Sequence, residues 1–324
     1  MNFIEKHYLC NKMLVSIVIP VYNRAVMVKE TLESVSRQTH RPLHIVLVDN
    51  NSTDNTYSVL QDFKDNNEAE DFKIDVIEEK KTGACAARNA GAKLVQSEWL
   101  MFFDSDDTMD SCLVSKYVEK IKSHGNAIDV VTTDAYFVKG DEVSRVNFVR
   151  SNFFPNHIFH SCLSTQRYIM RKTLFDQVGG WNESVECWND WELGVRLLLK
   201  YPRIAVMDEG VWIRVNVHDD SITGNRYSQN PYRREKAISI AIKAVEESDF
   251  INKSRIIRLL QMRKFVLAGL YLKEGEKCLA ERYYNEALNE IRKDRLLKLL
   301  APIIFRYVGL GGRGVDRLIR MFVR

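Results

Sequence analysis

Four aspartates, Asp104, Asp106, Asp107 and Asp110, crowd the end of an apolar and aromatic run in LMFFDSDDTMD (Leu100–Asp110). Like charges this close repel one another unless a cation sits among them. Hard carboxylate oxygens in a short loop suit Mg2+ or Mn2+, which keep several waters and bind substrate phosphates as well. Asp107 and Asp110 also fit a second role, capping the helix that starts near Asp110, whereas Asp104 and Asp106 lie a turn too early for it. Asp190 draws attention for a different reason. In ECWNDWELGVRLLLKYP, Trp191, Val195 and Leu198 recur at helical spacing and predict a helix from about Asn189. Asp190 then sits in the first turn, where the helix dipole favours the ionised form. A carboxylate held there can take a proton from a hydroxyl, or can simply stabilise its helix.

The elements that must position these residues alternate. LVSIVIP (14–20), LHIVLVDN (43–50), FKIDVIEE (72–79) and EWLMFF (98–103) read as buried strands. Between them, Val28, Leu32 and Val35 mark a helix over 25–38, DNTYSVLQDFK a helix capped by Asp54, and GACAARNAGAKLVQ a small-residue helix able to approach a sheet closely. Strands alternating with helices predict an α/β fold with a parallel, doubly wound sheet. Ligands of such sheets bind outside the carboxyl ends of the strands, which is where the acidic cluster falls.

With 324 residues, 45% of them apolar, the chain can hold one large α/β domain and an appendage. Its six scattered cysteines form no CxxC pair and argue against a zinc site or a disulfide framework, so a reducing cytoplasm is the expected location. The first residues lack the marks of a signal peptide, and no segment approaches the ~20 apolar residues that span a bilayer. Charge is uneven along the chain. From Arg233 onward 21 Lys and Arg face 11 Asp and Glu, whereas 26 face 32 before it. A basic helical tail beside an acidic body suggests an anionic surface as partner, phospholipid headgroups rather than nucleic acid, or else a solvated helical face.

VSIVIPVYNR, VDNNSTDNT, GACAARNAGAKLVQSEWLMFFDSDD, VGGWNES and NDWELGVRLL occur in the order and near the spacing of family 2 glycosyltransferases. The resemblance covers about 13–223. It implies a GT-A fold, in which a mostly parallel sheet is flanked by helices, and an inverting transfer of sugar from a nucleotide-diphospho-sugar to a hydroxyl of a glycan or lipid-linked acceptor. It also implies a divalent metal, Mg2+ or Mn2+, as cofactor. Carried over by position, Pro20 and Tyr22 line the nucleotide pocket, with the Tyr22 ring a surface for base or ribose. Asp49 and Asn50 match a pair that is usually two aspartates, the second of which contacts uracil. Asn50 departs from that pattern, and UDP is the first choice of donor nucleotide, ahead of dTDP or GDP. Arg88 falls near the donor, and Asp104 and Ser105 in the DxD motif contact the sugar nucleotide. Asp106 holds the metal, with Asp107 supporting it, and Asp190 is the general base, Asn189 replacing the first acid of the usual pair. His218, supported by Arg214, matches a closing segment that returns to metal or phosphate. His157, His160 and Gln166 are expected acceptor contacts.

The resemblance fades after about Pro231, giving an expected catalytic domain over 13–228 and a basic helical region over 229–324. FVLAGLYLKEGEKCLAERYYNEAL resembles one tetratricopeptide-like hairpin without a second copy. GLGGRG (309–314) formally fits GxGxxG but follows no strand. LLKLLAPIIFRYVGLGGRGVDRLIRMFVR alternates apolar blocks with basic residues and fits a helix on anionic membrane at the inner face of the cytoplasmic membrane, packing within the chain, or a dimer contact. The leading expectation is a glycosyltransferase of surface polysaccharide synthesis. A non-catalytic sugar-nucleotide-binding module remains open beside it, as does a nucleotidyltransferase of related fold, which would want a glycine-rich basic loop after the first strand in place of PVYNRAVMV.

Overall fold

The computed structural model describes residues 13–217, 226–315, 317 and 319. The chain runs β1 (Val15–Val21), α1 (Val28–Ser36), β2 (Leu43–Asp49), α2 (Thr56–Asn67), β3 (Phe72–Glu78), α3 (Ala84–Leu94) and β4 (Trp99–Phe102). It continues through β5 (Thr108–Met109), α4 (Leu113–His124), β6 (Val130–Thr132), β7 (Ala135–Lys139), β8 (Glu142–Val146), α5 (Phe153–His160), β9 (Tyr168–Arg171) and α6 (Lys172–Gln177). After α7 (Asn189–Leu198), β10 (Ile204–Val206) and β11 (Ile213–Asn216) come four helices, α8 (Pro231–Glu247), α9 (Lys253–Lys273), α10 (Lys277–Glu290) and α11 (Arg295–Gly309). These elements belong to two compact units. One draws on Met1–Phe148, Leu163–Ser184 and Tyr201–Val217, the other on Val149–Cys162, Val185–Lys200 and His218–Arg324. Two stretches upstream of residue 229, which carry α5 and α7, therefore group with the C-terminal helices.

The first unit is built on a seven-stranded sheet in the order β10-β6-β9-β4-β1-β2-β3. β1 and β2 are buried along their whole length, as strands covered on both faces must be, and this is why they read as unbroken apolar runs. β4, β1, β2 and β3 pair in parallel. The order β3-β2-β1-β4 makes the chain reverse its progress across the sheet between β1 and β4, the position at which open α/β sheets bind ligands. The expected mostly parallel sheet is present, with three strands the sequence reading did not mark, β6, β9 and β10, of which β9 runs antiparallel between β4 and β6. A second sheet, β5-β11-β7-β8, is also new. Its β8 is exposed along its full length, which explains why no apolar alternation announced it.

Helix α3 packs against β1 and β2 as its small residues predicted. A Cβ at Gly91 would lie 2.5 Å from Val18 Cγ1 and 2.9 Å from Val48 Cγ2, so the close approach requires glycine. In the second unit α9 is buried over most of its length and packs against α5, α8, α10 and α11. The expected helical hairpin is α9 and α10, turned at Gly275 with φ +87°. Buried Lys264 on α9 donates to both carboxylate oxygens of Glu290 at 2.6 Å. Gly309 closes α11, so GLGGRG follows a helix rather than a strand.

Candidate active site

The loops that leave β1 and β2 are laced together. Thr53 N donates to Asn23 Oδ1 (2.7 Å), Asn23 N to Ser52 Oγ (3.0 Å), Arg24 N to Thr56 Oγ1 (2.9 Å) and Ala25 N to Asp54 Oδ2 (3.2 Å). Asp54 also accepts from Thr56 N, but from one residue before the cap: the N-cap of α2 is Asn55, not the expected Asp54. Pro20 is buried within β1, in register with Val48, while Tyr22 beyond the strand end is 54% exposed and offers its ring to solvent. Asp49 is buried at the end of β2. Its Oδ2 accepts from Ser52 N at 3.2 Å, and its Oδ1 is buried with no hydrogen-bond donor among the described residues. Asn50 donates through Nδ2 to Glu79 O (3.0 Å) and Lys81 O (2.8 Å) and accepts at Oδ1 from Gly83 N (2.7 Å). An aspartate could not make the first two bonds. The departure from the usual acid thus has a local reason: the amide holds the loop between β3 and α3.

At the end of β4 each acid of the DxD motif faces an arginine. Arg88 on α3 donates to Asp104 Oδ1 at 2.6 Å, and its guanidinium lies 4.4 Å over the Trp181 ring. Trp181 is itself fixed: Asn89 accepts from Trp181 N (2.9 Å) and donates to Trp181 O (2.9 Å) and Glu183 Oε1 (2.8 Å). Gly180, at φ +74°, lets the backbone come this near, since a Cβ there would sit 2.8 Å from Asn89 Oδ1. Asp106 faces Arg24 at 3.7 Å. Sequence reasoning missed Arg24, Asn89 and Trp181, although YNR, ARN and VGGW all lie in the motifs that carried the resemblance. Ser105 between the two acids is buried.

Asp107 does not cap a helix. It is buried, accepts from Asn216 N at 2.8 Å through Oδ1 and from Gln166 Nε2 through Oδ2, and its carbonyl accepts from Thr31 Oγ1 at 2.8 Å. Asn216 Nδ2 also donates to Asp106 O at 2.6 Å. Burial first, and then the charges of Asp104 and Asp106, push the Asp107 carboxyl up to about 8. Asp110 is the acid that approaches the helix, accepting from Cys112 N just before α4. Gln166, expected to meet an acceptor, is spent on Asp107.

Asp190 lies in the second unit, in the first turn of α7 as its spacing predicted. Its Oδ1 accepts from Trp191 N at 2.7 Å, and its own N donates to Asn189 Oδ1 at 2.8 Å. Trp191 is fully buried and donates through Nε1 to Ile158 O on α5. His157 departs from the expectation of an acceptor contact. It is wholly buried, its Nε2 pairs with Trp191 O at 2.8 Å, and burial pushes its pKa down to about 4. Gly194 makes the room, because a Cβ there would lie 2.3 Å from His157 Nε2. His160 is exposed at the end of α5, and Arg214 is exposed on β11. His218 lies outside the described residues.

Among the described residues no three His, Cys, Asp or Glu side chains gather as a metal cage. Mg2+ and Mn2+ are commonly held by one or two carboxylates together with substrate phosphates. Asp106, a carboxylate just beyond β4 at the edge where open sheets bind ligands, fits such a cation.

A family model described as Glycosyl transferase family 2 matches residues 16–188. EpsJ of Bacillus subtilis (strain 168), named as an uncharacterized glycosyltransferase, is 25% identical over 216 residues, 62% of this chain and 60% of its own length. The chain thus spans less than two thirds of that relative. Staphylococcus aureus TarS 1–349, solved in complex with UDP-GlcNAc, superposes with a TM-score of 0.66 at 19% identity, over 95% of this chain and 92% of that one. The mannosyltransferase PcManGT from Pyrobaculum calidifontis, solved with GDP-Man and Mn2+, gives 0.56 at 15% identity, over 94% and 86%. At these identities the two structures share the fold with this chain: a mixed sheet flanked by helices.

Proposed function

We propose, from the premise that this chain belongs to glycosyl transferase family 2, that it moves a sugar from a nucleotide-diphospho-sugar to a hydroxyl of a glycan or lipid-linked acceptor, in the synthesis of a surface polysaccharide. One observation carries the reading: at the carboxyl ends of β1 and β4, where the strand order reverses, Asp104 and Asp106 are each matched by an arginine, Arg88 and Arg24. Such an alternation of fixed charges suits a diphosphate, whose oxygens the guanidinium groups can bind. Tyr22 stacks on the base or ribose, and Asp49 Oδ1, an acceptor without a donor among the described residues, takes an N–H from the base. UDP remains the first choice of nucleotide.

Asp104, oriented by Arg88, contacts the sugar nucleotide. Asp106, with His218 as a further ligand, would hold a divalent cation together with the donor's diphosphate, and that ion would supply positive charge where the leaving group becomes negative. Asp190 takes the proton from the acceptor hydroxyl as the oxygen attacks the anomeric carbon, since an alcohol cannot ionise by itself near neutrality. The new C–O bond forms as the bond to the nucleoside diphosphate breaks, on opposite faces of the carbon, so the configuration inverts. Asp190→Asn tests this. Release of nucleoside diphosphate from a panel of UDP-, dTDP- and GDP-sugars should fall by about 10²-fold or more, with donor binding retained in a thermal-shift measurement. Undiminished release by the variant would remove Asp190 from the mechanism.

A further inference from the structure

Helix α11 carries exposed apolar residues beside its buried face. Leu297, Leu300, Ala301, Ile304 and Val308 are buried, and α11 packs against α9 within its unit. Leu299 and Ile303 are 66% and 50% exposed, Tyr307 is exposed one turn further on, and Leu310, just past the helix, is 90% exposed. Positions 299, 303 and 307 fall within about 80° of arc at 3.6 residues per turn, so they form a continuous stripe alongside the buried face. Exposed hydrophobic residues scattered singly need no explanation, but a stripe does.

The surroundings of the stripe are basic. Arg292, Lys293, Arg295, Lys298, Arg306, Arg313 and Arg317 are all exposed. Asp294, the acid at the head of the helix, is neutralised by Arg258 Nε at 2.8 Å and accepts from Leu297 N as the N-cap. From Arg295 to the end, seven Lys and Arg stand against one acid, Asp316. No helix of the described residues is long and apolar enough to cross a membrane.

We propose that the outward face of α11 docks flat on an anionic lipid bilayer surface. An apolar stripe rimmed by cations, on a helix whose adjoining face is already packed, matches such a surface in both terms: the side chains enter the headgroup boundary while the basic residues meet lipid phosphates. Tyr307, anchored by its hydroxyl donating to Arg313 O at 2.7 Å, brings an aromatic ring to the same boundary. Charge argues against a second copy as the occupant, because a two-fold contact through this face would set one basic rim against another. Nucleic acid would satisfy the cations but leave Leu299, Ile303 and Leu310 without apolar partners.

The test is flotation of the full chain with phosphatidylcholine vesicles, with and without about one third phosphatidylglycerol, at two salt concentrations. The chain should float with the anionic vesicles and not with the neutral ones, less so at high salt. Leu299→Gln with Ile303→Gln should lower the partition coefficient roughly tenfold. Lys298→Gln with Arg306→Gln should lower it by about fivefold per charge removed. All four side chains are exposed, so unchanged melting temperatures and unchanged nucleotide binding would verify that each variant folds. Equal flotation of both variants and wild type would overturn the proposal, as would equal binding to neutral vesicles or no binding at all. A dimer in sedimentation velocity without vesicles, dissolved by Leu299→Gln and Ile303→Gln, would assign the face to a second copy instead.

Discussion

Replacing Asp107 by Asn isolates the cost of burying a carboxyl group among like charges. Burial, reinforced by Asp104 and Asp106, holds this group at about 8, against an ordinary carboxylate value near 4 in the unfolded chain. Between about pH 4 and pH 8 the folded chain therefore retains a proton that the unfolded chain has released. The stability this group contributes is fully present below the lower value and is lost as pH rises through the window to the upper one, at about 1.4 kcal/mol per unit. A step from pH 5 to pH 7 thus removes about 2–3 kcal/mol. Asparagine keeps an acceptor for Asn216 N and, once the Gln166 amide turns over, a donor toward it, but it carries no titrating proton. Urea denaturation of both proteins at pH 5, 6 and 7 in EDTA measures the effect as a difference of slopes. The wild type should lose stability relative to Asp107→Asn by that amount over the two units. Parallel curves would mean that Asp107 does not hold a proton in the folded chain over this range.

Two further substitutions probe the frame of the site. Gly91→Ala forces a methyl group toward Val18 and Val48, and overpacking of about 1–3 kcal/mol outweighs the helix propensity gained, for a net loss of about 1–2 kcal/mol in chemical denaturation; a stabilised variant would mean that α3 can move off the sheet at no cost. Asn50→Asp restores the family's usual acid but strips the carbonyls of Glu79 and Lys81 of their donor, so it should cost about 2 kcal/mol or more and weaken rather than strengthen UDP binding. Tighter UDP binding by a fully stable variant would show that Asn50 is not committed to the loop.

The parts of the fold legible in the sequence are those whose signal is local. β1 and β2 announced themselves because strands buried on both faces are apolar throughout, and α7 because Trp191, Val195 and Leu198 repeat at the helical period. β8 gave no such signal, since EVSRV is exposed at every position; it is held by pairing with β7, by Arg145 on Asp134 and by Arg167 on the Val146 carbonyl. The acidic loop was legible as a cluster, but not the division of labour within it. What separates Asp107 from Asp106 is Gln166 and Asn216, which arrive from 59 and 109 residues away. His157 illustrates the same limit: its role is fixed by Gly194, whose missing side chain makes a site for the ring under α7. Arg24 was hidden differently, as a common surface residue type whose meaning comes only from its distance to Asp106.

Whether Asp106 holds a cation through which the chain grips a nucleoside diphosphate can be read from equilibrium titration of UDP, dTDP and GDP into wild type and Asp106→Asn, in EDTA and in Mn2+. One nucleotide should bind the wild type at least about tenfold more tightly with Mn2+, a difference of about 1.4 kcal/mol, and Asp106→Asn should lose this gain. Equal affinity in EDTA and Mn2+, an unchanged Mn2+ response in the variant, or no binding of any of the three would contradict such a cation site.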